Sequence, residues 1–229
     1  MNAILLAAGF GTRLQPITNT IPKCLVPIKG KPLIELWLQK LISAHIGSIL
    51  INTHYLSQQV ESFINNSPFK NQSIVVFEPK LLGTAGTLLK NLHFFEGEDG
   101  MLIHADNYCL ADFAKFINAH ENRPPGCLMT MMIFNSCNPT ACGIVELDER
   151  GVVVGFHEKV SNPPGNLANG AVYILSSEMI NILKTDFATK TDFSTEILGY
   201  FIGKIYTYLT EDLFIDIGTL ENYNRVNRS

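Results

Sequence analysis

The stretch LLAAGFGTRL, residues 5–14, constrains the fold of this chain more than any other part of its sequence. Apolar residues precede a turn that contains Gly9 and Gly11, and Thr12 and Arg13 follow with a hydroxyl and a guanidinium group. Glycine backbone can adopt positive φ angles and bring N–H groups close to an anion, and arginine binds phosphate through a rigid fork. The stretch therefore predicts a buried strand followed by a phosphate-binding turn.

Two common phosphate-binding motifs do not match this turn. A P-loop has Lys followed by Ser or Thr after its glycines, and a dinucleotide fingerprint has a third glycine where Leu14 stands. A glycine pair by itself also occurs in ordinary surface turns, so a purely structural role stays open at this point. Lys23, in the run PKCLVPI, is a second candidate cation for an anionic ligand.

Length and composition limit the class of protein. The 229 residues, 46% hydrophobic and 17% charged, suit one globular domain with a large core. The net charge of −4 provides no basic surface, so we expect small-molecule partners and no nucleic acid. Five cysteines without metal-type spacing and a start without a signal peptide favour a cytoplasmic protein. No apolar run reaches the ~18 residues of a membrane span, so no membrane partner is expected.

Strand and helix patterns alternate in the first half of the chain. Apolar strands are predicted at 3–5, 48–52, 73–78 and 101–105, and helices at 32–46, 57–65 and 84–92. Trp37 lies on the apolar face of the first of these helices, and we expect it in the core. This order predicts a Rossmann-like, doubly wound α/β core whose ligands lie at the carboxyl ends of parallel strands.

The second half has a different pattern. Strand-like segments at 127–134, 143–147, 152–159 and 168–175 are connected too closely for crossover helices. Helices at 176–184 and 194–201, a strand at 204–209 and a last helix after Gly218 complete the chain. The predicted fold class is therefore α/β, with a mixed, mostly parallel sheet and an antiparallel extension in the second half.

Polar residues follow several of the predicted strands. Asp106 directly follows the strand at 101–105, and Asp216 lies in FIDIGT between a strand-like segment and a glycine turn. Mg²⁺ prefers oxygen ligands and commonly uses one or two carboxylates plus substrate phosphates. The two aspartates are therefore candidate magnesium ligands, although aspartate also caps turns.

The longer run LAAGFGTRLQPITNTIPKCLVPI, residues 6–28, resembles the signature of the sugar-1-phosphate nucleotidyltransferases, L-A-A-G-x-G-T-R-L-x-P-x-T followed by P-K-x-L-x-P-I. The resemblance extends from Met1 to about Arg225. It implies a GT-A-like fold and Mg²⁺-dependent transfer of a nucleoside monophosphate from a nucleoside triphosphate to a sugar 1-phosphate, for sugar nucleotide and polysaccharide biosynthesis. We expect one domain over 1–229, with a nucleotide-binding half at about 1–125 and a sugar-phosphate-binding half at about 126–229.

The resemblance also implies roles for individual residues. Arg13, Lys23 and Lys159 are the expected catalytic residues, and Asp106 and Asp216 are the expected Mg²⁺ ligands. The expected nucleotide-binding residues are Leu6, Ala8, Gly9, Gly11, Thr12, Arg13, Lys23, Glu78, Gly83 and Thr84. The chain lacks the C-terminal extension of some longer family members, which suggests a minimal catalytic domain. The sequence leaves the oligomeric state open, including a homo-oligomer.

Three further segments resemble the sugar-phosphate site of the family. GFHEKV matches an F-x-E-K segment, which implies that Glu158 binds sugar hydroxyls and Lys159 the phosphate. Without the resemblance, the default interpretation of these two residues is an ion pair exposed to solvent. The remaining expected sugar contacts are Gly143, Asn169 and Gly170. Two positions depart from the family pattern: Cys142 replaces a usual Tyr, and Phe214 replaces a common Trp.

Glu78 bears on the choice of base. It lies five residues before Gly83. At the position of Glu78, related thymidylyl enzymes carry a Gln. A carboxylate only accepts hydrogen bonds, and guanine presents two adjacent donors, so Glu78 favours GTP. The segment LLGTAG also resembles the mannose-1-phosphate guanylyltransferases. Glu78 could instead point to solvent and leave base reading to the backbone.

Other functions stay open at this stage. The chain could be a UTP- or dTTP-dependent transferase, a CTP:phosphocholine-type cytidylyltransferase, or a non-catalytic nucleotide-sugar sensor. His54, His104 and His157 show no zinc-type spacing, and we expect them to line or flank the site. No local signature indicates an activated nucleophile.

Overall fold

The computed structural model describes residues 1–228 and contains strands, α-helices and short 3₁₀ turns. The strands are β1 (Asn2–Leu6), β2 (Pro27–Ile28), β3 (Lys31–Pro32), β4 (Ile49–Thr53), β5 (Ser73–Phe77), β6 (Gly100–His104), β7 (Asn107–Cys109), β8 (Met129–Asn135), β9 (Gly143–Leu147), β10 (Val153–Glu158), β11 (Leu167–Leu175), β12 (Ile205–Leu209) and β13 (Phe214–Asp216). The helices are α1 (Leu33–Ser43), α2 (Ser57–Asn65), α3 (Gly83–Lys90), α4 (Phe113–Glu121), α5 (Ser177–Asp186), α6 (Phe193–Glu196) and α7 (Leu220–Arg228).

The described chain divides into two compact units. The first contains Met1–Leu81, Ile103–Leu110 and 213–228, and the second contains Leu82–Leu102 and Ala111–Asp212. The sequence-based division into a nucleotide-binding and a sugar-phosphate-binding half stays a prediction, as does the single domain. No helix within residues 1–228 combines the length and the hydropathy needed to cross a membrane.

The first unit has the predicted parallel core. β4 lies between β1 and β5 and is parallel to both, with Ile49 opposite Ala3 and Ser73. α1 and α2 form the connections β1–α1–β4–α2–β5 that parallel strands require. β4 is buried along its whole length, which explains its continuous apolar sequence.

Helix α1 packs through the residue that the sequence placed in the core. Trp37 is 2% exposed, and its Nε1–H donates to the Asn107 carbonyl oxygen at 2.9 Å. The helix is shorter than predicted at both ends. Pro32 has an extended ψ of 136° and precedes the first turn, and His45 has a left-handed φ of 57° just beyond the last.

The second unit contains the predicted antiparallel strands. β10 pairs with β9, and β11 pairs with β8 and β9, all antiparallel. β12 lies parallel to β8, an orientation that the sequence did not indicate. The α/β class with parallel and antiparallel strands is confirmed.

Two helix assignments needed correction. α4 was missed, although Asp112 caps it by accepting the N–H groups of Ala114 at 2.9 Å and Lys115 at 3.2 Å. The predicted helix at 194–201 is broken, because Ile197 has φ −120° and ψ −49° between α6 and a 3₁₀ turn.

Candidate functional site

The predicted phosphate-binding turn lies in the first unit, directly after β1. Gly11 has φ +65°, and a Cβ there would lie 2.9 Å from Thr18 Cγ2 and 3.1 Å from Lys23 Cβ. The Thr18 hydroxyl donates to the Gly11 carbonyl oxygen at 2.8 Å and holds the turn. Glycine is therefore required at position 11. The sequence allowed a positive φ at both Gly9 and Gly11, but Gly9 does not have one.

Four charged residues of the first unit form what we call the charge cluster: Arg13, Lys23, Asp106 and Asp216. Lys23 Nζ lies 2.9 Å from Asp106 Oδ2 and 3.5 Å from Asp216 Oδ1. Arg13 Nη2 lies 3.6 Å from Asp216 Oδ2. The Lys23 side chain is only 8% exposed, whereas both carboxylates keep almost half of their surface accessible. The cluster thus presents carboxylate oxygens and an exposed guanidinium around a buried ammonium group.

The pairing of β7 with β13 brings the two aspartates together. Asp106 directly precedes β7, and Asp216 ends β13 opposite Asn107. The Gly218 N–H donates to Asp216 Oδ1 at 2.7 Å, and the Asn222 side-chain amide donates to the Asp216 carbonyl oxygen at 2.8 Å. A short antiparallel ladder and two hydrogen bonds therefore fix Asp216 beside Asp106.

The electrostatics of the charge cluster keep Asp106 ionised. Burial acts to raise the pKa of the Asp106 carboxyl, but the charges of Lys23 and His104 and the hydrogen bond from Lys23 outweigh it. The pKa therefore lies below the usual value. Beside Lys23, burial raises the pKa of the Cys24 thiol to about 12, so this thiol is protonated and does not supply a nucleophile at neutral pH.

The carboxylates of the charge cluster fit a shared divalent cation. Within residues 1–228, no group of three or more His, Cys, Asp or Glu side chains is arranged to hold a metal ion. Magnesium commonly needs only one or two carboxylates, because water and substrate phosphates complete its shell. Asp106 and Asp216 already converge on one positive group, Lys23 Nζ, and their oxygens are partly exposed.

Three consecutive residues at the end of β4 hold Glu78. Its Oε1 accepts from Asn52 Nδ2 at 3.1 Å, and its N–H donates to the Thr53 carbonyl oxygen at 2.8 Å. His54 Nδ1 lies 2.7 Å from the Glu78 carbonyl oxygen and must donate to it, because a carbonyl only accepts. Glu78 is 1% exposed, so its side chain is not directed to bulk solvent.

Gly83 and Thr84, of the predicted nucleotide set, lie in the second unit at the start of α3. Gly83 has φ +79°, and a Cβ there would overlap the carbonyl oxygen of Thr191. The same carbonyl oxygen accepts from the Ala85 N–H at 3.0 Å. Thr84 Oγ1 accepts from the Phe193 N–H at 2.8 Å. The beginning of α3 is therefore fixed by backbone groups that come from far along the chain.

Three predicted sugar-phosphate residues meet where β9 pairs with β10. Gly143 lies opposite Glu158, and a Cβ at 143 would lie 2.5 Å from Glu158 Oε2. Glu158 Oε1 lies 3.2 Å from Lys159 Nζ, and the Lys159 side chain is 64% exposed. Lys159 has φ +50°, and its N–H donates to the Cys142 carbonyl oxygen at 3.1 Å. A left-handed lysine costs about 1–2 kcal/mol, and strain of this kind concentrates at functional positions.

Asn169 uses both ends of its amide inside the second unit. Its Oδ1 accepts from the Ala171 N–H at 2.8 Å, and its Nδ2 donates to the Tyr173 hydroxyl at 2.7 Å. Ala171 has φ +54°, and the register of β11 against β8 shifts between Asn169 and Tyr173. Burial raises the pKa of Tyr173, so the hydroxyl stays neutral. The irregular strand fixes Asn169, while sugar contacts by Asn169 and Gly170 stay predictions.

Sequence reasoning missed two residues that position the predicted ones. Asn52 holds the Glu78 carboxylate, and Asn222 holds Asp216. Asn52 ends an apolar strand, so the rule applied to the other strand ends would have found it. Asn222 lies on the polar helix α7, where no pattern distinguishes it from its neighbours.

The predicted flanking histidines have definite neighbours. His54 contacts Glu78, and His104 lowers the pKa of Asp106 through its charge. His157 Nε2 lies 2.7 Å from Glu146 Oε2 in the second unit.

Residues 2–229 match the family model described as nucleotidyl transferase, so the chain belongs to the nucleotidyl transferase family. A D-glycero-alpha-D-manno-heptose 1-phosphate guanylyltransferase of Campylobacter jejuni is 30% identical over 226 residues, which cover 97% of each chain. A relative from Sulfolobus acidocaldarius is 29% identical over 230 residues, 99% of this chain. That relative is longer, and the chain spans 62% of its length.

A solved structure has the same fold over nearly the whole chain. The crystal structure of HddC from Yersinia pseudotuberculosis complexed with GMP-PN aligns with a TM-score of 0.81 and 27% identity, covering 99% of this chain and 98% of that chain. Together with the relatives, this match confirms the sequence-based assignment to the sugar-1-phosphate nucleotidyltransferases and the predicted fold.

Proposed function

We propose that this chain transfers a guanylyl group from GTP to a sugar 1-phosphate and releases pyrophosphate. The charge cluster carries this proposal, because Lys23 and Arg13 lie with two carboxylates beside the glycine turn. Phosphoryl transfer depends mainly on positioned charges rather than on a nucleophilic side chain. Membership in the nucleotidyl transferase family agrees with this chemistry.

The proposed reaction needs no general base. An oxygen of the sugar phosphate forms a bond to the α-phosphorus of GTP, and the bond from that phosphorus to the bridging oxygen of the β-phosphate breaks. The electron pair leaves with pyrophosphate. Because the attacking oxygen is already an anion, the barrier is mainly repulsion between two polyanions. Arg13, Lys23 and the N–H groups of the turn would bind the triphosphate, and Lys159 would bind the sugar phosphate.

We include Mg²⁺ as the cofactor, held by Asp106 and Asp216. When bound there, a divalent cation would neutralise part of the charge of the transferred phosphoryl group. The convergence of both carboxylates on a single positive group supports this assignment.

The proposal of GTP rests on Glu78. A carboxylate can accept from the N1–H and N2–H donors of guanine, whereas uracil and thymine offer one donor between two acceptors. Because Glu78 is 1% exposed, a base would reach its carboxylate only after the side chains that cover it move aside. The guanylyltransferase name of the Campylobacter jejuni relative points in the same direction. The nearest alternative is a UTP- or dTTP-dependent transferase with the same mechanism.

The sugar is proposed only as a class. The Gly143, Glu158 and Lys159 arrangement suits a phosphate with neighbouring hydroxyls, since it pairs an exposed ammonium group with a carboxylate acceptor. D-glycero-α-D-manno-heptose 1-phosphate is the first sugar to test because the relative's name contains it.

We also propose a single catalytic domain and a cytoplasmic location.

Pyrophosphate release tests the proposal. GTP, UTP, dTTP, CTP and ATP are each combined with heptose-, mannose-, glucose- and N-acetylglucosamine 1-phosphate, with phosphocholine as the substrate of a cytidylyltransferase. We expect release with GTP and a sugar 1-phosphate, its loss with EDTA and its return with Mg²⁺. Nucleotide binding without release from any pair would favour the non-catalytic sensor.

A further inference from the structure

One buried amide connects Glu78 with the phosphate-binding turn. Asn52 is 3% exposed and lies near the carboxyl end of β4. Its Oδ1 accepts from the Ala7 N–H at 2.8 Å, and its Nδ2 donates to Glu78 Oε1 at 3.1 Å. Ala7 is the first residue after β1, where the turn begins. Both contacts lie within the first unit.

These contacts restrict the direction of the Glu78 carboxylate. A buried hydrogen bond to a carboxylate is stronger than one between neutral groups, so it holds the side chain in one orientation. The backbone of Glu78 is held by Thr53 and His54 on the same end of β4. A carboxylate can accept about four hydrogen bonds, so the Asn52 amide does not by itself prevent a base from binding once the side chains that cover Glu78 move aside.

Asparagine suits this position because its two ends have opposite hydrogen-bonding character. The carbonyl end accepts from Ala7, and the amide end donates to Glu78. Aspartate at 52 would keep the acceptor for Ala7 but would place a second carboxylate against Glu78. Alanine would remove both contacts.

We propose that Asn52 is a positioning residue for nucleotide selectivity, which orients the Glu78 carboxylate for the base and ties that orientation to the start of the phosphate-binding turn. The inference rests on the proposed function, since it takes Glu78 as the residue that reads the base. It predicts that substitution of Asn52 changes the ratio of the GTP and UTP affinities. A substitution that only lowered the stability of the protein would leave this ratio unchanged.

Calorimetric titration of GTP and of UTP into the wild type and N52D tests the inference. We expect the ratio of the two dissociation constants to move towards one by about tenfold or more in N52D, the size typical of losing a hydrogen bond to a charged group. N52A should show the same shift if charge repulsion prevents N52D from folding, because it removes both contacts without adding a charge.

N2D is the matched control. Asn2 Oδ1 accepts from the Ser48 N–H at 3.0 Å at the other end of the β1–β4 pair, so the same chemical change occurs far from Glu78. We expect N2D to keep the wild-type ratio. In the double variant N52D/E78Q, the glutamine amide can donate to the new aspartate, so thermal stability should recover relative to N52D while the GTP preference does not.

The outcomes separate the inference from the proposed function. A wild-type ratio retained in N52D and N52A, an equal change in N2D, or a wild type without any preference would overturn the inference. The proposed function is decided by pyrophosphate release from the wild type. If release fails, or occurs only with UTP, the guanylyl assignment falls, while a selective change of the binding ratio in N52D would still support the role of Asn52.

Discussion

At the scale of residues, Lys23 determines the electrostatics of the charge cluster. An ammonium group with 8% of its side chain exposed has lost most of its hydration, and burying such a group is unfavourable unless partners compensate. Asp106 at 2.9 Å and Asp216 at 3.5 Å supply that compensation. The same contacts hold the carboxylates in place, so one buried lysine organises groups that lie far apart in the sequence.

The metal assignment predicts severe losses of turnover in D106A and D216A. Each variant removes one of two proposed Mg²⁺ ligands, and the loss of a single charge-stabilising group commonly lowers turnover by about 10²–10³. We expect both variants to fold, as circular dichroism would report, and to lose at least this much of the rate of pyrophosphate release.

Asp212 provides the control for these variants, because it is an exposed aspartate close in sequence to Asp216. D212A should keep the wild-type rate. Near-normal rates with Mg²⁺ in D106A or D216A would contradict the metal assignment.

At the scale of elements, the start of α3 depends on a distant segment. The Thr191 carbonyl oxygen lies against Gly83 and accepts from the Ala85 N–H. Glu196 in turn holds this segment, because its Oε2 accepts the N–H groups of Thr191 at 2.8 Å and Asp192 at 2.9 Å. Residues about a hundred positions apart therefore form one structural unit around a predicted nucleotide-binding loop.

We expect G83A to destabilise the protein by about 2–5 kcal/mol, the sum of a left-handed alanine and an overlap with a backbone oxygen. Urea unfolding measures this change. Gly199 is the control, since it lacks a positive φ and its Cβ would meet no nearby described atom beyond its chain neighbours. Equal unfolding midpoints for G83A and G199A would contradict the close contact between residue 83 and the Thr191 carbonyl oxygen.

Glu196 should make stability depend on pH in the acid range. The N–H groups of Asp192 and Thr191 and the Thr191 hydroxyl lower the pKa of Glu196 from 4.5 to about 2. Because the folded pKa lies below the unfolded one, the contribution is complete above pH 4.5 and is lost as the pH falls towards 2. The Tm of E196Q should therefore fall less steeply than that of the wild type over this range.

Thermal unfolding followed by circular dichroism at stepped pH measures these slopes. E149Q, which changes an exposed glutamate, should follow the wild type. If Tm falls with pH equally steeply in the wild type and in E196Q, Glu196 is not the origin of the pH dependence.

Across the whole molecule, the sequence predicted the elements that have the clearest local patterns. The strands β1, β4 and β5 and helix α2 follow from apolar runs and helical spacing, and α2 was predicted with its observed bounds. The helix α4 was missed because its signal is a single Asp112 cap ahead of three buried residues. The break at Ile197 and the parallel pairing of β12 with β8 depend on packing between distant segments, which local patterns do not encode.

The candidate site shows the same division. Motifs identified Lys23 as a candidate phosphate-binding cation and Asp106 and Asp216 as candidate magnesium ligands. The structure brings these three residues together. Motifs did not reveal that Lys23 is buried between the aspartates or that Asn52 holds Glu78, because both facts depend on tertiary contacts between segments that are separated in the sequence.

Competition among nucleotides measures which nucleoside triphosphate this chain uses. The wild type is incubated with Mg²⁺, D-glycero-α-D-manno-heptose 1-phosphate and mannose 1-phosphate, and equal concentrations of GTP, UTP, dTTP, CTP and ATP, and the products are identified by mass spectrometry. We expect a GDP-linked sugar as the dominant product, absent when EDTA is present. A dominant UDP- or dTDP-linked sugar, or no nucleotide-linked sugar at all, would contradict the proposed function.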